Sequence, residues 1–133
     1  FKWFEGESNL DGKSGSWMLY HSSEFPDELM EIDWTVENEE VGTIRLTYVR
    51  VNDNSGNPDP GNGSYLEYSH TDASDYNAMY DIHYYDTTHE QFVDADIEWN
   101  LTEYYGRVRN TMWDDNAWHC WDSNGDDVVC GMK

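Results

Sequence analysis

Apolar and polar residues alternate with a period of two through most of this chain, and helical spacing is almost absent. In LMEIDWTV, Met30, Ile32, Trp34 and Val36 share one side, and Glu31, Asp33 and Thr35 share the other. In FVDADIEWNL, Val93, Ala95, Ile97, Trp99 and Leu101 oppose Asp94, Asp96, Glu98 and Asn100. GTIRLTYV groups Ile44, Leu46 and Tyr48, and AMYDIHYY groups Ala78, Tyr80, Ile82 and Tyr84. Successive side chains of a strand point to opposite faces, so these segments predict strands with one buried and one solvated face. That is the habit of antiparallel sheets. SWMLYH, SYLEYSH and YYGRVRNTM read as further strands.

Turn-forming clusters separate these runs. NDNSGNPDPGNGS is the longest, and HTDASDYN and DTTHEQ are shorter. The prediction is a single all-β domain over residues 1–133, an antiparallel meander of about eight strands closed as a barrel or folded as a sandwich. Residues 1–15 read as an irregular lead-in held by Trp3 and Phe4, and 118–131 as a terminal hairpin. The seven residues Ile32, Trp34, Ile44, Leu46, Ile82, Ile97 and Trp99 are expected to share one core, with Asp33, Asp94, Asp96 and Glu98 in solvent. A shift of 65 residues lays LYHSSEFPDELMEIDWT over YYDTTHEQFVDADIEWN, aligning Ile32 with Ile97 and Trp34 with Trp99; after a one-residue gap Arg45 meets Arg109. Two readings fit this: an internal duplication with pseudo-twofold symmetry, or the general likeness of alternating strands.

The charge narrows the function classes. With 28 acids against 7 bases the net charge is −21, which repels phosphate backbones and argues against nucleic-acid binding. A saline or calcium-rich environment, a basic partner, or mimicry of DNA would each account for such a charge. Seven Trp, ten Tyr and four Phe argue against disorder, because acidic disordered chains are poor in aromatics. No run of about 18 apolar residues is present, so no membrane-spanning helix is expected. The sequence starts at Phe1, which suggests a processed product or an excised segment, and leaves open a lipid anchor outside it.

The only two cysteines flank a hairpin signal in WHCWDSNGDDVVC: Asn124-Gly125 suits a turn that needs positive φ. Cys120 and Cys130 sit five residues either side of Gly125, so a disulfide is expected, and with it an oxidising compartment. Calcium is the competing reading. Asp122, Asn124 and Asp126 alternate like the first ligands of an EF-hand. Asp127 stands where that loop needs Gly and Lys133 where it needs Glu, so an EF-hand is rejected. A different calcium loop using Asp122, Asn124, Asp126 or Asp127 remains, as does one in Asp53, Asn54, Asn57 and Asp59. The plain alternative for both is a solvated acidic turn.

No catalytic motif is found. His21, His70, His83, His89 and His119 lack metal-ligand spacing, no serine lies in a nucleophile elbow, and among 28 acids some carboxylate pair will always be close. Asn62-Gly63-Ser64 and Asn100-Leu101-Thr102 match the N-glycosylation triplet, which matters only in a eukaryotic source. The aromatics exceed what a small core needs. Tyr104, Tyr105, Trp113, Trp118 and Trp121 cluster late in the chain and are candidates to stack on sugar rings; the alternative is that they pack over a barrel end or an interface.

The run GSWMLYHSS…LMEIDWT…GTIRLTYVRV…IEWN…GRVR…WHCWDSNGDDVVC resembles β-rich domains of exported Bacteroidota lipoproteins, which end in a CWD…C element. The resemblance covers most of the chain and implies export, with secreted, periplasmic or cell-surface residence, and no particular reaction. The expectation is therefore a non-enzymatic binding or assembly module whose partner is a protein of a surface assembly. The alternative is a carbohydrate-binding module that takes a glycan, with or without calcium.

Overall fold

The computed structural model describes residues 2–39 and 41–131. It contains one antiparallel sheet of ten strands in strict sequence order, a pure meander. The strands are β1 (Phe4–Ser8), β2 (Ser14–Tyr20), β3 (Glu28–Asn38), β4 (Val41–Tyr48), β5 (Tyr65–His70), β6 (Ala78–Asp86), β7 (Gln91–Trp99), β8 (Gly106–Asn110), β9 (His119–Trp121) and β10 (Asp127–Val128). The all-β meander is as the alternation predicts, with ten strands rather than about eight. β1 and β10 do not pair, so the sheet is not closed and no barrel forms.

One boundary differs from expectation. The lead-in is not irregular: Phe4–Ser8 pairs with β2 from Phe4 opposite Leu19 to Ser8 opposite Gly15. Sequence alternation is weak there because Gly6 and Ser8 occupy the apolar side of the strand. The offset of 65 residues superposes β2 and β3 on β6 and β7, and β4 follows onto β8. The two units run the same way and show the same faces, so a step of four strands along the sheet relates them, rather than a twofold axis. Their registers differ by two residues, since Ile32 opposes Leu46 but Ile97 opposes Val108.

Cross-strand partners in an antiparallel pair point to the same face, so the registers assign every strand side chain. One face carries the row Trp34, Ile44, Tyr68, Tyr80, Ile97 and Val108. Beside it runs Trp17, Ile32, Leu46, Leu66, Ile82 and Ala95. The other face carries the row Ser16, Asp33, Arg45, Glu67, Asp81, Asp96 and Arg109. All seven residues predicted to share a core do share the first face, and Asp33, Asp94, Asp96 and Glu98 lie on the second.

None of those seven is fully buried, however. Among the described residues the buried apolar set is Ala78, Val93, Ala95, Tyr105 and Cys120. The strands make their contacts with sequence neighbours. The total accessible surface is 8690 Å² for a 15.6 kDa chain, against about 7,250 Å² for a compact monomer of that mass. An excess of about 1,400 Å² is the signature of a sheet with both faces toward solvent. Alternation specifies which side of a strand is apolar; it does not supply the layer that covers it.

The terminal hairpin and its disulfide form as expected, with S–S 2.06 Å and Cα–Cα 5.1 Å between Cys120 and Cys130. The residue directly opposite Cys120 is Val128, and Cys130 reaches the bond from two positions further on. Gly125 has φ +84°, as its place after Asn124 requires. Among the described residues no helix is long and apolar enough to cross a membrane.

Candidate functional site

The uncovered apolar face is the feature most in need of a function. It forms because aromatics sit opposite residues small enough to let their rings lie flat on the sheet. A Cβ built on Gly15 would lie 2.6 Å from the Trp34 indole, and one on Gly6 2.6 Å from the Trp17 ring. Trp121 lies over Gly106 in the same way. In the middle of the face, Tyr80 stacks against Trp99 with ring centroids 5.4 Å apart, and Tyr68 meets Tyr80 at 5.2 Å. These rings brace one another across β5, β6 and β7 and hold a broad, stiff aromatic surface. No Asp, Glu, Lys or Arg lies among the two central rows.

The opposite face is polar and internally paired. Arg45 Nε bonds Glu67 at 2.8 Å, Arg107 Nη2 bonds Glu98 at 3.0 Å and Arg109 Nε bonds Asp96 at 2.9 Å. His83 Nδ1 lies 2.7 Å from Asp94, between the rings of Tyr65 and Phe92. Arg107 and Arg109 both stack on Trp118, at 4.1 and 4.3 Å from the ring centroid. Asp81 stands between Glu67 and Asp96 in the same row and, among the described residues, forms no ion pair of its own. Burial first, then the charges of Asp96 and Glu67, push its carboxyl above the usual carboxylate range.

This carries a prediction. The folded chain holds the Asp81 proton more tightly than the unfolded chain, so stability falls as pH rises from the unfolded value of about 3.9 through the folded one. Above both values the full cost is present. Asp81→Asn should therefore stabilise the protein by about 1 kcal/mol at pH 7, the worth of relieving two facing like-charge contacts. At pH 3 the gain should vanish. Urea melts at both pH values measure it, and an equal gain at both would show that electrostatics is not the cause.

The residues singled out in the sequence are not brought together on one surface. Tyr105 is buried, and its hydroxyl bonds Asp75. Trp118 lies on the polar face under its two guanidinium groups. Trp121 lies on the apolar face, with its Nε1–H donated to the Tyr104 carbonyl at 2.8 Å. Tyr104 and Trp113 are exposed, in the loops before β8 and β9. The acidic turn is organised by its own backbone: Asp122 Oδ1 accepts the N–H groups of Asn124 and Asp126 at 2.9 and 3.0 Å. Asp53 Oδ1 likewise accepts from Ser55 and Asn57, and Asp59 Oδ1 from Gly61. Among the described residues no three His, Cys, Asp or Glu side chains are grouped to hold a metal ion. Lys133 lies outside the described residues. Asn100 is buried and its side-chain amide donates to the Asp75 carbonyl, so within the folded domain its glycosylation triplet is closed; Asn62 is exposed.

Two structural residues had no signal in the sequence. Arg50 is buried and ties Asp27, before β3, to Asn54 in the long loop. Its hydrogen bond holds the Asp27 carboxyl below the usual range. Arg107 is the hub of the Tyr76, Trp118 and Glu98 contacts. A lone Arg in a loop and an Arg on an alternating strand look alike before the partners are known.

In comparisons with known proteins, no family model, curated protein or solved structure matches this chain.

Proposed function

We propose that the protein is an exported, non-enzymatic binding and assembly module that works through the apolar face of its sheet. The observation that carries this is the uncovered face itself, aromatic and without Asp, Glu, Lys or Arg in its two central rows, on a chain of net charge −21. Exposed apolar patches beyond a few hundred Å² on a folded protein mark interaction surfaces. The disulfide supports residence in an oxidising compartment, whether secreted, periplasmic or at the cell surface. Likeness to exported lipoproteins points the same way.

A photo-activatable residue at Leu66, on the apolar face, should cross-link to neighbouring protein in the organism that makes this chain. The same residue at Thr43, on the polar face, should not. Equal cross-linking from both positions, or none from Leu66, would sink the reading.

Calcium needs no place in this function. Because one oxygen of Asp122 and one of Asp53 already accept backbone N–H groups, and no three acidic side chains are grouped at either turn among the described residues, calcium chloride and sodium chloride at equal ionic strength should raise the melting temperature equally, by screening alone. A clearly larger shift with calcium in a thermal melt would restore the cation-binding alternative.

A further inference from the structure

We infer that the partner on the apolar face is a second copy of this chain, packed face to face to make a two-layer sandwich centred on Leu66 and Ile82. This rests on the reading of that face as an interaction surface.

Area is the first argument. From β2 to β8 the face spans about 34 Å across the strands and about 20 Å along them, or roughly 700 Å². Half of the excess surface, about 700 Å², agrees with it. Two copies would thus bury about 1,400 Å² in total, inside the range of specific, stable interfaces. Twisted sheets with interdigitating apolar faces pack in this way at about 10 Å separation.

Charge is the second argument. A chain of net charge −21 should resist its own copy, yet the strand carboxylates of the central rows point to the far face. In the sandwich they lie on the two outer surfaces, about 20 Å apart across both layers. That is more than two Debye lengths at physiological salt, where the repulsion is largely screened. The geometry therefore sets the sign of the salt effect. Self-association through this face strengthens as salt rises, whereas docking of a basic partner on the acidic face weakens.

Light scattering on the wild-type protein tests this, together with cysteine cross-linking. The mass in 0.5 M sodium chloride should be twice the 15.6 kDa of the chain, with the dimer fraction falling as salt is removed. Leu66→Cys, a conservative change on an accessible face, should give at least tenfold more covalent dimer under mild oxidation than Thr43→Cys on the other face. A monomer at 200 μM in 0.5 M salt overturns the inference. So does a dimer that cross-links equally from both positions, or one that dissociates as salt rises. If the protein is monomeric but Leu66 still captures other proteins in the producing organism, only the self-association fails. If Leu66 captures nothing, the binding reading fails too.

Discussion

Gly106→Ala should cost about 3 kcal/mol, the upper end of what an overpacking methyl costs in a folded protein. The added Cβ would sit 2.3 Å from Trp121 Cζ2 and 2.5 Å from the Glu98 carbonyl oxygen. Real Cβ atoms do not approach that closely, so something must shift. Neither neighbour shifts freely. The Trp121 indole is anchored by its hydrogen bond to the Tyr104 carbonyl, and its strand is clamped by the disulfide. The Glu98 carbonyl belongs to β7, which pairs with β8 from Ala95 to Trp99, so moving it strains the ladder. Gly63→Ala is the control. Its φ is +96° and nothing lies within 4 Å of the new methyl, so it should cost only about 1 kcal/mol of backbone strain. Equilibrium urea unfolding compares them. If Gly106→Ala is no worse than Gly63→Ala, the rings are not packed on the sheet as described.

The same corner shows what could be read from the sequence and what could not. Trp34, Ile44, Ile82, Ile97 and Trp99 announce their shared face through local alternation, because the period of a strand is intrinsic to its backbone. The Cys120–Cys130 bond announces itself because two cysteines around Asn-Gly leave one simple pairing. Gly106 does not. Its role depends on Trp121 arriving from another strand, 15 residues away, and nothing in GRVRN signals that arrival. Trp118 and Trp121 look like one aromatic cluster in the sequence, yet Trp118, just before β9, lies under the arginines of the polar face while β9 sends Trp121 to the apolar one. The aromatic excess was legible as a surplus over core needs. Where the surplus goes is decided by the absence of a second layer, and alternation is the same for a sheet that is covered within its own chain and one that is not. The acidic tips are ambiguous for a related reason. Asp, Asn and Gly suit both a cation loop and a turn in which the carboxylate accepts backbone N–H groups. Asp122 does the second.

Replacing both cysteines with serine should cost about 2.5–3 kcal/mol, the entropy of a closure between residues ten apart in sequence. The loss should be local first. β9 and β10 are short, at His119–Trp121 and Asp127–Val128, and β9 pairs with β8 at only three positions, from Gly106 opposite Trp121 to Val108 opposite His119. With the hairpin loosened, β8 becomes an edge with unpaired backbone groups, so the variant should also aggregate more readily. The decisive measurement is a double-mutant cycle. In the disulfide-free background Trp121 can swing away from Gly106, and Gly106→Ala should then cost about 1 kcal/mol less than in the wild type, a coupling typical of residues in contact. Additivity within about 0.5 kcal/mol would mean that the disulfide does not hold Trp121 against the sheet. The disulfide would then stabilise only by restricting the unfolded chain.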